Sequence, residues 1–187
     1  MNNPVFVVVA GPNGAGKSSL VRANPLGFEV FNPDELAGQI GGSPVARMIH
    51  TGRMMHKLIG QAFQAGESFG IETTLSGHRT LALMAQAKEK GYTVALIYVG
   101  VDSLDLSKLR IGQRMKEGGH GVPERDVERR FPRSFANLPR ALTIADQAQV
   151  FDNSLESGHR LIAEKKPRAD LAVLDANVTW LRTTLES

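Results

Sequence analysis

The 187-residue chain contains no cysteine, which excludes disulfides, thiolate zinc sites and a cysteine nucleophile. Aromatic residues make up only 6% of the sequence, so stacking platforms for single-stranded nucleic acid are scarce. No run approaches the roughly 20 apolar residues of a membrane-spanning helix. The residues before the first apolar run also lack the basic region of a secretory signal. We therefore expect a cytoplasmic protein that does not contact membranes, and the few aromatic residues argue weakly against nucleic acid as a partner.

The segment from Gly11 to Ser18, G-P-N-G-A-G-K-S, fits the phosphate-binding pattern G-x-x-x-x-G-K-[S/T] and directly follows an apolar run. Its glycines let backbone N–H groups turn toward phosphate oxygens, and the following helix directs its positive end at the same anion. Lys17 can reach the β- and γ-phosphates, and the Ser18 hydroxyl can hold Mg²⁺. The cofactors predicted are therefore ATP and Mg²⁺. The predicted cofactor-binding residues are Gly11, Pro12, Asn13, Gly14, Ala15, Gly16, Lys17, Ser18, Ser19, Arg110 and Asn153.

Short apolar runs alternate with segments that can form helices, which is typical of a parallel sheet covered on both faces. The length suits one domain over residues 1–187. We expect an α/β fold of three layers, like that of P-loop NTPases and nucleotide kinases, with a five-stranded parallel sheet. The predicted strands are 5–10, 27–32, 69–73, 94–99 and 149–152. The predicted helical segments are 17–24, 34–66 with a break at 41–44, 80–90, 104–117, 123–147 and a C-terminal helix at about 171–185.

Asn32-Pro33-Asp34-Glu35 follows the second predicted strand, at the edge of the sheet where ligands bind. A kinase needs a base that accepts the proton of the acceptor hydroxyl, and Asp34 is placed to be that base. The same residues also make a good helix start with no chemistry, in which Asn32 is the N-cap and Pro33 occupies the first position. The local sequence leaves both interpretations open.

A hydroxyl-rich segment, residues 72–77, follows the third predicted strand. Glu72 could assist magnesium through a water molecule or bind a sugar-like hydroxyl, while Thr73, Thr74 and Ser76 could donate hydrogen bonds to a polar substrate. The alternative is a strand that ends in an ordinary polar turn. We accordingly predict that Asp34, Glu72, Thr73, Thr74 and Ser76 bind the acceptor.

Residues 108–133 contain eight basic and four acidic side chains, a local charge of +4 in a chain whose net charge is +3. Arg110 and Arg114 share one helical face, and Arg130 lies beyond a Gly118-Gly119 hinge. Arginines on such a segment can close over a triphosphate and stabilise the charge that moves with the phosphoryl group. The segment therefore predicts a helical lid, and the alternative is a solvated helical face that is partly self-paired.

Two further polar features are less specific. Asp152, Asn153 and Ser154 follow the last predicted strand, where they could contact the adenine, order the phosphate loop or form an Asx turn. The five histidines include no i,i+4 pair, and His159 stands alone. We therefore expect no zinc site, and Ser18 is the predicted metal ligand.

Nine sequence pieces in order across about 140 residues resemble the zeta toxin family of P-loop kinases, in its shorter bacterial form. They are G-P-N-G-A-G-K-S at 11–18, F-N-P-D-E at 31–35, I-E-T-T-L-S-G at 71–77, Y-V-G-V-D-S at 98–103, R-x-x-x-R at 110–114, G-G-H-G-V-P-E at 118–124, R-R-F-x-R-S-x-x-N-L at 129–138, A-D at 145–146 and F-D-N-S at 151–154.

The resemblance implies an ATP-dependent phosphotransferase, because characterised members of that family phosphorylate UDP-N-acetylglucosamine on a sugar hydroxyl. It implies that Asp34 is the catalytic base, that Glu72 is the acidic residue of the third strand and that Lys17 is the P-loop lysine. For the lid arginines it points to Arg114 and Arg130. Arg110 and Arg129 are close rivals for those two roles.

The resemblance also implies that an antitoxin, if there is one, is a separate chain. Larger toxins of the family carry extra helical elements at the substrate site, and this chain is shorter. Two alternatives therefore stay open: a kinase for another acceptor, such as a different nucleotide-sugar, an antibiotic or a nucleic-acid end, and an ATP-hydrolysing regulatory domain.

Overall fold

A seven-stranded sheet runs through the residues that the computed structural model describes, which are 3–118 and 121–186. The strands are β1 (Val5–Ala10), β2 (Val30–Phe31), β3 (Phe69–Thr73), β4 (Thr93–Gly100), β5 (Gln147–Asp152), β6 (Arg160–Lys165) and β7 (Leu171–Val173). The helices are α1 (Lys17–Ala23), α2 (Pro33–Gly38), α3 (Pro44–Ala65), α4 (His78–Glu89), α5 (Leu104–Lys116), α6 (Glu124–Ile144) and α7 (Thr179–Leu185). None of these described helices is both long and apolar enough to cross a membrane.

The strand order is β2-β3-β1-β4-β5-β6-β7. The five strands from β2 to β5 are parallel, whereas β6 and β7 continue the sheet in antiparallel fashion. The predicted five-stranded parallel sheet is therefore wrong in two respects: the sheet has seven strands and it is mixed. β6 escaped prediction because its sequence, R-L-I-A-E-K, begins and ends with charged residues and its apolar run is only three residues long.

The predicted C-terminal helix at 171–185 is also wrong over its first half. Residues 171–173 form β7, and the helix begins only at Thr179. Apolar residues at Leu171, Val173 and Leu174 fit a helical spacing, but they also fit a short edge strand, and over three residues the two periods cannot be told apart.

The side chains of β1 alternate between the two faces of the sheet. Phe6 and Val8 belong to the core cluster that includes residues of α3, α4, α6 and α7, whereas Val7 and Val9 pack with residues of α1 and of the loop that follows it. All four are at most 4% exposed. Burial on both faces explains why the strand is a continuous apolar run, and it leaves the carboxyl ends of the parallel strands as the edge where a site can form.

The long helical segment predicted at 34–66 is two helices, and the break falls where glycine and proline predict it. α2 ends at Gly38, and α3 begins at Pro44 after Ser43, whose Oγ accepts a hydrogen bond from the amide of Ala46 at 3.3 Å. Ser43 is therefore an N-cap, and Pro44 occupies the first helical position, where its missing N–H costs nothing.

The predicted lid, residues 108–133, falls on most of α5 and the first half of α6. Lys108 Nζ joins these helices, because it lies 2.8 Å from a carboxylate oxygen of Glu124 and 2.6 Å from one of Glu128. Gly118 has a φ of 86°, while the hinge residue Gly119 lies outside the described residues, as does His120. α6 also contains Pro132 and Pro139 within its length. Closure of this segment stays a prediction.

We predict that Gly100→Ala destabilises the protein. A Cβ at Gly100 would lie 2.3 Å from the ring of Trp180, and that ring is held by a 2.9 Å hydrogen bond from its Nε1 to Asp152. We expect the free energy of unfolding, measured in urea, to fall by about 1–3 kcal/mol. Gly60 on α3 has open space at its Cβ position, so the control Gly60→Ala should raise stability by about 0.5–1 kcal/mol. Equal stabilities for the two variants would contradict the packing of α7 on β4.

Candidate active site

The loop between β1 and α1 wraps around the Lys17 side chain. Lys17 Nζ donates to the carbonyl oxygens of Gly11 and Pro12, both at 2.9 Å. Gly14 and Gly16 have φ values of 74° and 92°, in the left-handed region that glycine adopts without strain. The predicted phosphate-binding pattern is therefore built as a closely wound loop with a lysine at its centre.

Other segments hold the outer side of this loop. Three side-chain donors contact carbonyl oxygens of the loop, one from α5 and two from the connection between β5 and β6. The three contacts are Ser107 Oγ to the oxygen of Asn13, Asn153 Nδ2 to the oxygen of Ala15 at 2.8 Å, and His159 Nε2 to the oxygen of Gly16 at 3.0 Å. The loop is thus fixed from outside, with its concave side left for a ligand.

Lys17 carries its charge in a buried position, with 7% of its surface exposed. Burial lowers the pKa of Lys17, whereas the nearby carboxylates of Glu72 and Asp34 oppose that change and Arg114 adds to it. A buried ammonium that is only partly compensated by carboxylates attracts an anion strongly, because little water screens it.

Glu72, at the carboxyl end of β3, is fixed by two donors. Ser18 Oγ donates to its two carboxylate oxygens at 3.0 and 2.9 Å, and Asn32 Nδ2 donates to Oε2 at 3.0 Å. Burial raises the pKa of Glu72, against the opposing effects of Lys17 and of the Ser18 hydrogen bond, while Asp34 adds to the rise. The carboxylate that was predicted at the end of the third strand is therefore connected directly to the loop.

Asp34 lies in the first turn of α2, which Asn32 caps. Asn32 Oδ1 accepts hydrogen bonds from the amides of Asp34 at 2.9 Å and Glu35 at 3.5 Å. The helix-start interpretation is thus confirmed. It does not compete with a chemical role, because Asp34 is exposed and lines the cavities described next.

Two cavities meet at the carboxyl edge of the sheet. One has a volume of about 390 Å³ and the other about 160 Å³. They share a wall made by Asn13, Lys17, Asp34 and Glu72. The larger cavity is further lined by Ser18, Ser19, Arg110, Arg114 and Asn153, and the smaller by Asn32, Thr73, Thr74 and Arg130. Two ligands bound in these cavities would therefore meet at one lysine and two carboxylates.

The predicted site residues fall into three groups. Most of them line the two cavities. Gly11, Pro12 and Ala15 belong to the loop without lining either cavity. Ser76 also lines neither cavity, but its Oγ is hydrogen-bonded to Oγ1 of the lining residue Thr74 at 2.9 Å.

The predicted arginines divide between the cavities. Arg110, which donates to the carbonyl oxygen of Asn153 at 2.6 Å, and Arg114 line the larger one. Arg130 lines the smaller one, whereas its rival Arg129 is turned to Asp126 at 2.9 Å.

Several residues of the site were missed or undervalued by sequence reasoning. Ser107 and His159 belong to no recognised motif. Asn137 does belong to one, and its Nδ2 donates to the carbonyl oxygen of the buried Leu75 at 2.8 Å. Leu75 has a φ of 55°, so this contact holds a strained turn behind Thr73 and Thr74 in a single conformation.

The predicted magnesium ligand fits its environment. Within residues 3–118 and 121–186, no group of three His, Cys, Asp or Glu side chains could hold a metal by protein ligands alone. Mg²⁺, however, is usually bound by one or two protein oxygens together with substrate phosphates and water. The Ser18 hydroxyl and the Glu72 carboxylate, 2.9 Å apart, are oxygen donors of that kind beside the loop.

Sequence comparison places the loop and all lining residues of both cavities except Asn153 inside one family match. The family described as an AAA domain matches residues 6–137 of this chain. An uncharacterized protein of Haemophilus influenzae is 35% identical over 132 residues, which cover 70% of this chain and 93% of that protein.

Three solved structures share the fold. The AvrRxo1-ORF1:AvrRxo1-ORF2 complex, also determined with ATP, matches with a TM-score of 0.75 and 18% identity over 98% of this chain. This chain spans only 64% of that matched chain. The PezAT toxin–antitoxin system of Streptococcus pneumoniae matches at 0.66 and 17%, covering 100% of this chain and 80% of that one. A candidate kinase of Chloroflexus aurantiacus matches at 0.61 and 18%, covering 98% and 100%.

We predict that Glu72→Gln gains stability relative to the wild type as the pH rises. Because the folded protein raises the pKa of Glu72 above the ordinary value of 4.5, ionisation of this group costs stability, and that cost grows as the pH rises through the raised pKa. Thermal unfolding of both proteins from about pH 4 to 8 measures the difference, which should shift in favour of the glutamine variant. Glu35→Gln, at an exposed position on α2, should show no such trend. A constant difference for Glu72→Gln would contradict the buried charge.

Proposed function

This chain belongs to the AAA domain family and has the fold of a P-loop kinase, and from that premise we propose that it transfers the γ-phosphate of ATP to a hydroxyl of a small molecule. The favoured acceptor is a UDP-amino sugar such as UDP-N-acetylglucosamine. One observation carries the proposal: the two cavities share a wall that contains Lys17, Asp34 and Glu72. Transfer between two bound molecules needs such a wall, whereas nucleotide binding alone does not.

ATP occupies the larger cavity in this proposal, with its phosphates on the loop of residues 11–18. Lys17 neutralises the β- and γ-phosphates, and Arg110 and Arg114 face them from α5. A similar fold crystallised with ATP supports this assignment. Ser18 would hold Mg²⁺, which neutralises phosphate charge when it is bound.

The acceptor occupies the smaller cavity, where Asp34 is the base. Its carboxylate takes the proton of the acceptor hydroxyl as the oxygen attacks phosphorus, and the bond from phosphorus to the bridging oxygen of ADP breaks. Thr73 and Thr74 orient the acceptor by hydrogen bonds, and Arg130 stabilises negative charge on the transferred group. Glu72 accepts hydrogen bonds from Ser18 and Asn32, so it fixes the phosphate loop and the start of α2 relative to each other.

The choice of acceptor rests on the resemblance to zeta toxins and on the similar fold of a toxin–antitoxin protein. A different hydroxyl acceptor, such as another nucleotide-sugar or an antibiotic, would use the same residues. An ATP-hydrolysing regulatory domain fits less well, because it has no use for a second cavity lined by Thr73, Thr74 and Arg130. In the toxin role the protein acts in the cytoplasm, and its restraining partner is a separate antitoxin chain.

We predict that Asp34→Asn abolishes transfer while ATP still binds. Loss of a general base lowers rates by about 100- to 10,000-fold, whereas the loop that holds the phosphates is untouched. The measurement is mass spectrometry of a panel of nucleotide-sugars incubated with ATP, together with calorimetric titration of ATP. The neighbouring Glu35→Gln is the matched control and should keep full activity. Transfer by Asp34→Asn at near the wild-type rate would place the base elsewhere.

In a bacterial host, we predict that induced expression of the wild type slows growth and that expression of Asp34→Asn does not. The reason is that only a transferase with its base intact depletes a cell-wall precursor. Growth curves at matched protein levels, checked by immunoblot, make the measurement. Equal growth of the two strains would speak against a toxin role without removing the kinase activity, which the mass assay tests separately.

A further inference from the structure

We propose that His159, which no motif of the chain identifies, is a positioning residue for the phosphate-binding loop. It lies just before β6, the strand that sequence reasoning missed, and its Nε2 lies 3.0 Å from the carbonyl oxygen of Gly16. A carbonyl oxygen can only accept a hydrogen bond, so Nε2 carries the hydrogen in this contact. The inference rests on the proposed function in one respect, namely that the ligand of the loop is a phosphate chain.

The contact matters because a peptide group is planar and trans. The C=O of one residue and the N–H of the next point in opposite directions from the same rigid plane. A donor that holds the Gly16 oxygen outward therefore directs the Lys17 N–H inward, toward the concave side of the loop. Asn153 does the same one residue earlier, because its hydrogen bond to the Ala15 oxygen directs the N–H of Gly16.

The geometry around Gly16 shows how closely these two side chains approach the loop. A Cβ on Gly16 would lie 2.5 Å from Asn153 Nδ2 and 3.0 Å from His159 Nε2. The Gly16 oxygen also accepts the first hydrogen bond of α1, from the amide of Leu20 at 3.1 Å. His159 thus orients the peptide at which the loop becomes the helix, where backbone N–H groups bind phosphate best.

The decisive variant is His159→Phe, which keeps a ring and removes the donor. We expect its Kd for ATP to rise about five- to ten-fold, the loss equivalent to one hydrogen bond of ordinary strength. His159→Gln restores an N–H donor at a similar reach and should bind ATP within about two-fold of the wild type. His78→Phe, at an exposed position on α4, is the matched histidine control and should change nothing.

A purely structural role for His159 would give a different pattern. If the ring only filled space, the phenylalanine variant would bind ATP as the wild type does and the glutamine variant would be the weaker one. Thermal unfolding without ligand accompanies each titration, so that a loss of affinity can be separated from a loss of fold.

Titration with inorganic tripolyphosphate separates this inference from the proposed function. If the wild type binds tripolyphosphate but not ATP, and His159→Phe weakens that binding, the positioning role stands and the kinase proposal fails. If His159→Phe binds both ligands as tightly as the wild type does, the positioning role fails and the kinase proposal is untouched. Binding of neither ligand by the folded wild type would overturn both.

Discussion

A backbone loop can direct its N–H groups at an anion only when the carbonyl oxygens on its other side have hydrogen-bond donors of their own. This constraint organises the protein around residues 11–16. Lys17 Nζ donates to the oxygens of Gly11 and Pro12 from the centre of the loop, and three side chains from two further segments donate to the oxygens of Asn13, Ala15 and Gly16 from outside. The sheet brings α5 and the β5–β6 connection to the same place, because both follow strands that end at one edge. The fold therefore supports the loop from outside, and these outer hydrogen bonds are present before any ligand binds.

The three charged residues at the centre of the site, Lys17, Glu72 and Asp34, differ in how far they are buried. Burial lowers the pKa of Lys17 and raises the pKa of Glu72, so it favours the neutral form of each group. The charge of each residue partly opposes the change in the pKa of the other. Asp34 stays exposed on the first turn of α2. The buried Lys17 and the partly buried Glu72 are thus fixed by hydrogen bonds to the loop and to Ser18 and Asn32 respectively, while the carboxylate proposed for proton transfer, Asp34, is accessible to a ligand. These different environments allow two neighbouring carboxylates to serve different purposes.

The sequence predicted those features that are determined by adjacent residues. The phosphate loop, β1, β3, β4 and the break between α2 and α3 each have a signature in adjacent residues. The antiparallel strands β6 and β7 have none, because their short sequences fit several structures equally well. His159 and Ser107 were missed for a related reason. His159 lies 143 residues along the chain from the loop residue that it contacts, and Ser107 lies 94 residues from its own. No sequence-spacing rule predicts contacts at such separations. Asn32 was recognised only as a helix cap, but its side chain both caps α2 and donates a hydrogen bond to Glu72.

Pro132 interrupts the hydrogen bonding within α6. Pro132 has no N–H, so the carbonyl of Glu128 lacks its partner within the helix and the rod is weakened there. Beyond this point, Ser134 and Asn137 are buried and bonded to Tyr98 and Leu75. Before it, Arg130 faces the smaller cavity. Pro132 therefore separates a part of α6 that is fixed to the core from a part that carries Arg130 toward the smaller cavity. A change in the angle between the two parts would leave the hydrogen bonds of Ser134 and Asn137 in place.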